Sequence, residues 1–197
     1  MKSERAIVLR RIKYGESDLI VSCLNQEGCR LNLMAKGALR SRRRFAGGVL
    51  EPLNYIKIVY QIQASPDSQN PLHWLKEAQL LRGFQGLRQD YDRLEMGIYF
   101  LHLVSQVGRE GEGDNHSLFD LLGNSLGALE TTGSLKYLKL LFELKILHQQ
   151  GVLDYQAEGA GLVRWSIRDH EQICLDEPNF LRAKGETHRA LEAYLHK

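Results

Sequence analysis

The sequence predicts an α+β protein: a five-stranded β-barrel of the OB kind over residues 1–80, then a helical domain over residues 81–197 that carries a small β-hairpin. Three observations predict it. Short β-branched and apolar runs separated by Gly-centred turns fill the first eighty residues, and from about Gln89 the apolar residues recur at helical spacing. Between the third and fourth of the short runs lies one long insert, 36–50, with four arginines and three glycines.

Ala6–Ile12 is the first run and Asp18–Leu24 the second, with Tyr14-Gly15-Glu16-Ser17 as the turn between them. A second turn at Asn25-Gln26-Glu27-Gly28 leads into Cys29–Ala35. There Leu31 and Leu33 share one face and Arg30 and Asn32 the other, the two-residue period of a half-buried strand. Residues 36–50 break that pattern and read as a flexible loop bounded by glycines. Strand character resumes over Leu53–Ile62, is interrupted by the polar stretch Pro66–Pro71, and returns over Leu72–Ala78 as a fifth strand.

Tyr91–Val107 is the first helix, with Leu94, Ile98, Leu101 and Val104 or Ser105 on one stripe. Gly108–Asn115 is too rich in glycine and acid to continue it and reads as a flexible linker. Ser117–Leu129 forms a second amphipathic segment. Ser134 is placed to cap a third helix, Leu135–Gln150, which stops at Gly151. Leu140, Leu141, Phe142, Leu144, Ile146 and Leu147 leave that helix little polar surface, so it reads as the centre of a bundle. Leu162–Ile167 and Gln172–Leu175 suggest the hairpin, and His188–Lys197 a last helix.

The net charge of +2 conceals an asymmetry. Residues 1–60 hold twelve Lys or Arg against five acids, a net +7, which leaves −5 for residues 61–197. A polyanion would meet the front of the chain. No stretch reaches the length of a membrane span, and Met1-Lys2-Ser3-Glu4-Arg5 lacks the apolar core of a signal peptide, so a cytoplasmic location is expected and no membrane partner.

Groups for catalysis are thin. Cys23, Cys29 and Cys174 form no Cys-x-x-Cys pair, and His170 with Cys174 lacks further ligands, so neither a disulfide framework nor a metal site is expected, and no cofactor. Gly108–Gly113 follows a helix and lacks the Lys-Ser/Thr ending of a phosphate loop. Glu16, Asp18 and Glu143 have structural uses, in turns or in pairing with Lys136 or Lys139. An enzyme is not indicated.

The arginine cluster is the one group with a clear physical purpose. Arg40, Arg42, Arg43 and Arg44 stand within five residues, and guanidinium groups bind phosphate oxygens through paired hydrogen bonds. Arg10, Arg11, Lys13, Arg30 and Lys36 extend the basic track. Among the aromatics, Phe45 and Tyr14 lie in turns and suit stacking on unpaired bases, whereas Tyr55 and Trp74 suit core packing better.

Arg5-Ala-Ile-Val-Leu-Arg-Arg-Ile-Lys-Tyr-Gly-Glu-Ser-Asp-Leu-Ile-Val, Glu27-Gly28, Met34-Ala-Lys-Gly-Ala-Leu-Arg and Leu50-Glu-Pro-Leu53, in that order, resemble the N-terminal domain of the RecO family of bacterial DNA repair proteins. Leu138–Leu147 with Gly151 looks like the Phe-Glu-Leu helix of that family's helical domain. The resemblance implies a non-enzymatic protein of recombinational repair that binds single- and double-stranded DNA and anneals complementary strands. With RecR, it would help load RecA onto DNA coated by single-stranded DNA-binding protein, whose acidic C-terminal tail the helical domain receives. Lys136, Lys139 and Phe142 are the residues expected at that peptide site. Many members carry a four-cysteine zinc site near the C-terminus; here only Cys174 falls in that stretch, so the region is expected to be zinc-free. Leu140 and Leu141 also stand before Phe142-Glu143 where relatives often have basic residues. The competing reading is an OB-fold adaptor that meets only protein partners.

Overall fold

A computed structural model describes residues 1–63, 71–110 and 116–196. They form two compact units, Met1–Gln85 with Ile98–Gly123, and Gly86–Gly97 with Asn124–Lys197.

The first unit is built on five strands, β1 (Lys2–Tyr14), β2 (Asp18–Asn25), β3 (Cys29–Ala35), β4 (Tyr55–Gln61) and β5 (Leu72–Arg82). They close in the ring β1-β2-β3-β5-β4 and back to β1, antiparallel throughout except for a short parallel pairing of β3 with β5. This is the OB-type barrel expected. Alternation explains the strands: Ile56, Ile58 and Tyr60 point in from β4 while Lys57 and Gln61 point out, and Leu19, Val21 and Cys23 do the same from β2. Gly28 closes the β2–β3 turn at φ 74, in the left-handed region where a side chain is strained.

β1 runs further than the apolar run Ala6–Ile12 because a bulge between Val8 and Arg10 shifts its register, letting its first half pair with β4 and its second half with β2 alone. Leu53, expected to open the fourth strand, instead takes φ 75 at the end of the preceding turn. The polar interruption Pro66–Pro71 falls mostly, and Gly111 to Asn115 of the expected linker wholly, outside the described residues. Arg109–Glu110 of that linker are ordered as a short strand, β6, parallel to the start of β3.

One acid sits inside this barrel. Glu4 is buried, accepts from Tyr60 Oη at 2.5 Å and Asn25 Nδ2 at 3.1 Å, and has Lys2 Nζ at 3.7 Å. Buried charge survives only with such partners.

Helix α1 (Tyr91–Val107) has the expected bounds, and Leu101 and Val104 of the expected stripe are buried, but Ile98 is exposed and Phe100, Leu103 and Val107 are buried beside them, so the buried face is turned from the expected one. Helix α2 spans His116–Leu129. In the second unit Arg93 braces the end of α2, donating to the carbonyls of Leu129 and Thr132 at 3.0 Å each and to that of Glu130. Leu129 O is one of the carbonyls a helix end leaves unpaired, and Glu130 and Thr132 belong to the turn that follows it.

Helix α3 (Leu135–Gln149) is apolar on most sides, as expected, with Leu138, Leu140, Leu141, Phe142, Leu144, Ile146 and Leu147 buried. Gly151 at φ 69 ends it, with Val152 N–H returning to Leu147 O. Ser134 makes no side-chain cap, however; its own N–H donates to Thr132 Oγ1 at 2.9 Å.

Two sequence expectations fail beyond α3. The stretch expected to form a hairpin contains two 3-10 helices, Ala160–Arg164 and Ile167–Gln172, because local bonds such as Leu162 N–H to Gly159 O and the Ser166 cap on Arg168 N–H take up the backbone groups a ladder would need. The last helix, α4, is Glu177–Leu195, eleven residues longer at its start than expected. Asp176 caps it by accepting from Asn179 N–H at 3.0 Å, and Phe180, Ala183, Thr187 and Leu191 form its buried stripe. Gly185 and the surrounding charges hide that period in the sequence.

Among the described residues no helix is long and apolar enough to cross a membrane, and no group of three or more His, Cys, Asp or Glu is placed to hold a metal ion.

His73 gives the barrel a pH dependence. It stacks on Tyr60 at 5.6 Å, and its Nδ1 accepts from Gln63 N–H at 3.2 Å, so the ring is neutral with its proton on Nε2. Burial pushes its pKa below the ordinary 6.5, with the Glu4 carboxylate opposing the shift. Protonation therefore favours the unfolded chain: the stability this group contributes is complete above about pH 6.5 and is lost as the pH falls through its folded value. The urea midpoint of the wild type should drop between pH 7 and pH 5 more steeply than that of His73→Phe. Parallel pH profiles would reject this role.

Candidate nucleic-acid interface

The insert 36–50 is no flexible loop. Its apolar residues Ala38, Phe45, Val49 and Leu50 belong to the barrel core. Its backbone is bonded to three neighbours: Gly37 N–H donates to Asp18 Oδ1 at 2.7 Å, Leu39 N–H to Ser17 O at 2.9 Å, and Ala78 N–H of β5 to Arg44 O at 3.1 Å. Asn54 Nδ2 holds the far end by donating to Gly48 O and Val49 O. Apolar side chains anchor the insert, and the charged ones have nowhere to go but outward.

The arginines then differ in what they do. Arg44 is exposed but reaches back to donate to Lys36 O at 2.9 Å, closing the insert on itself. Arg40 pairs with Glu16 at 3.5 Å; both side chains are largely in solvent, where such a pair contributes little and yields readily to another anion. Arg42 and Arg43 are exposed with no ion-pair or hydrogen-bond partner among the described residues. Of the insert's four arginines those two are the most available to phosphate.

On the strands, Arg10 and Lys13 are exposed on the half of β1 beyond the bulge, and Arg11 pairs with Glu51 at 2.8 Å. Lys36 is exposed, its ammonium 4.4 Å from the ring centroid of Trp74. Two expected residues drop out. Phe45 is only 6% exposed and packed in the barrel, so it cannot stack on a base; an aromatic in a turn was as free to fold inward as outward, and burial of its ring is worth more. Arg30 is half-buried, and its Nη1 donates to Ser105 O at 2.6 Å, near the end of α1, so it is a structural brace.

Trp74 reverses its expectation in the other direction, being 38% exposed on β5 with Lys76 Nζ 5.1 Å from its ring. The signal was present in the sequence: apolar Leu75 stands between Trp74 and Lys76, and a two-residue period puts those two on the face opposite Leu75. Tyr14, the other stacking candidate, is exposed. Tyr55 is half-buried, edge-on to Phe119.

The helical unit contains a separate cavity of about 480 Å³ between α3 and α4. Lys136, Lys139, Lys184 and His188 stand around it, Leu140, Phe180 and Leu181 supply its apolar wall, and Glu143 also lines it. Lys136 Nζ lies 4.9 Å from the Phe180 ring, and Lys139 is 3.8 Å from Glu143. Phe142 is absent from this cavity and wholly buried, so the aromatic of the site is Phe180. Lys145 is also unavailable, since burial lowers its pKa and its ammonium donates to Val163 O at 2.7 Å.

Residues 1–84 match the family model described as Recombination protein O N terminal, and residues 88–153 the one described as Recombination protein O C terminal. The chain belongs to the RecO family of DNA repair proteins. Its relatives include the DNA repair protein RecO of Anaeromyxobacter dehalogenans, 35% identical over 85% of this chain and 67% of that protein. Those of Syntrophobacter fumaroxidans, 33% identical over 88% and 67%, and Maridesulfovibrio salexigens, 29% identical over 76% and 58%, are similar too. The chain thus spans about two thirds or less of the length of these RecO proteins.

The insert separates into residues that hold the fold and residues that do not. Phe45→Ala should cost about 3–5 kcal/mol in unfolding free energy, whereas Arg42→Ala and Arg43→Ala should each stay within about 0.5 kcal/mol. Denaturant titration of the three variants checks this. Equal losses at all three positions would mean the arginines are structural.

Proposed function

We propose that this RecO-family chain is a non-enzymatic DNA-binding protein of recombinational repair, with residues 1–80 as the nucleic-acid-binding domain and 81–197 as a domain for protein partners. Arg42 and Arg43 carry the reading: two exposed cations without partners among the described residues, on an insert whose apolar side is fixed in the barrel. Arg10, Arg11, Lys13, Lys36, Arg40 and Arg44 add phosphate contacts around them. Contacts of this kind release counterions and are indifferent to base sequence, which suits a protein that must act on any damaged strand, single or duplex.

The finer activity follows the family. The chain anneals complementary single strands and, with RecR, helps load RecA onto DNA coated by single-stranded DNA-binding protein. Its cavity between α3 and α4 receives the acidic C-terminal tail of that coating protein, with Phe180 and Leu140 against the terminal aromatic ring and Lys136, Lys139 or Lys184 near the carboxylates.

Binding of a labelled single-stranded oligonucleotide at several salt concentrations tests the DNA reading. The double variant Arg42→Ala/Arg43→Ala should bind every sequence more weakly and lower the slope of log affinity against log salt by about 1.4, at roughly 0.7 per lost phosphate contact. Wild-type affinity together with a wild-type slope would move the chain to the protein-only adaptor reading.

For the cavity, an acidic peptide ending in Phe should bind the wild type, and Lys136→Glu/Lys184→Glu should weaken it roughly tenfold or more, a change of about 1.4 kcal/mol. No binding to the wild type removes this partner.

A further inference from the structure

Trp74 occupies a position the phosphate contacts do not explain. A tryptophan left 38% exposed on a strand is a large apolar ring held in water, and here two ammonium groups converge on it, Lys36 Nζ at 4.4 Å and Lys76 Nζ at 5.1 Å from its centroid. The ring and the two cations come from two separate segments of the chain. Trp74 and Lys76 project from β5, and Lys36 follows directly on β3, whose Met34 is the register partner of Trp74 in the parallel pairing that closes the barrel.

The same surface is tied to the arginine insert. Arg44 Nη2 donates to the carbonyl of Lys36 at 2.9 Å, and Arg44 O accepts from Ala78 N–H, four residues beyond Trp74 on β5. Four residues of strand measure about 13 Å. A strand whose phosphates rest on the insert therefore passes within a few nucleotides of the ring.

Building on the DNA-binding reading of the barrel, we infer that Trp74, flanked by Lys36 and Lys76, is a stacking platform for an unpaired base. An indole offers the widest face of any side chain and every base has a face to match, so the contact is indifferent to sequence, as the phosphate contacts are. Lysines over the ring are mobile occupants: a base that takes the face moves an ammonium aside, where it meets the phosphate of the same nucleotide. The platform separates strands by state, since a base in a duplex is already stacked and paired. Phosphates alone would hold duplex and single strand alike; the indole favours the single strand.

The chain has two tryptophans, so Trp165→Phe leaves Trp74 as the sole reporter. Full-length Trp165→Phe protein is titrated with oligothymidylate, with an abasic oligomer of equal length, and with a duplex, following both tryptophan emission and the anisotropy of a labelled strand. Oligothymidylate should quench the emission, while the abasic oligomer and the duplex should bind with little quenching. In the natural background Trp74→Ala should lose about 5- to 150-fold in affinity for oligothymidylate and far less for the abasic oligomer, with an unchanged salt slope. Trp74→Phe should recover most of the loss, which a merely misfolded barrel would not allow.

Three results overturn the inference. Unchanged affinity of Trp74→Ala for oligothymidylate does so while leaving the phosphate reading intact. Equal loss for oligothymidylate and abasic oligomer does so as well, because the ring would then be supporting the lysines. Failure of the wild type to bind any oligomer removes both this inference and the DNA reading beneath it.

Discussion

The barrel depends on a single two-sided segment. Residues 36–50 must fill the core with Ala38, Phe45, Val49 and Leu50 and must at the same time carry four arginines within five positions. Hydrophobic burial and charge repulsion are compatible only if the segment folds with one side in and the other out, and the bonds from Asp18, Ser17, Ala78 and Asn54 hold it that way. For the proposed phosphate contacts the consequence is pre-organisation. Arginines on a fixed framework lose less freedom on meeting phosphate than arginines on a tether, so each contact contributes more of its gross energy to affinity.

The buried acid of the barrel and the buried histidine of the helical unit are each satisfied by the chain itself. Glu4 is enclosed by Tyr60, Asn25 and Lys2 in the barrel. In the helical unit buried His170 bonds Ile167 O through Nδ1 at 2.7 Å and Thr132 Oγ1 through Nε2 at 2.6 Å, while Glu171 accepts from Gly133 N–H at 2.6 Å. The Gly133 N–H and then the Thr132 hydroxyl, both donating to it, hold the Glu171 carboxyl below its ordinary pKa. This network ties the second 3-10 helix to the turn before α3.

Period and turn chemistry made most of the fold legible. Five strands, the bounds of α1 and the glycine stop at Gly151 follow from alternation, helical spacing and positive φ, each a local property. What failed was set by distance. Phe45 turns inward because burial in a barrel depends on which segments meet, and β3 meets β5 across 39 intervening positions, as the pairs Asn32–Leu72 and Met34–Trp74 show. Arg30 became a brace only because α1 ends beside β3. The start of α4 was obscured by Gly185 and a charged surface, which lower its mean hydropathy without removing its buried stripe.

The cavity in the helical unit shows the same lesson more sharply, because there the answer was contained in the helix itself. At 3.6 residues per turn, Lys136, Lys139, Leu140 and Glu143 fall on one face, and Phe142 points roughly 110° away from it. A face with two lysines and a leucine could not also present Phe142. The aromatic had to come from another element, and α4 supplies it as Phe180, whose ring meets Tyr137 edge-on at 5.4 Å and Lys136 at 4.9 Å. Glu143 then sets the electrostatics: buried and 3.8 Å from Lys139, it spends that lysine within the helix, so an acidic ligand is left with Lys136 and Lys184 as its principal attractors. The two lysines stand on different helices, so the acidic ligand proposed for this cavity would link α3 and α4 as well as bind.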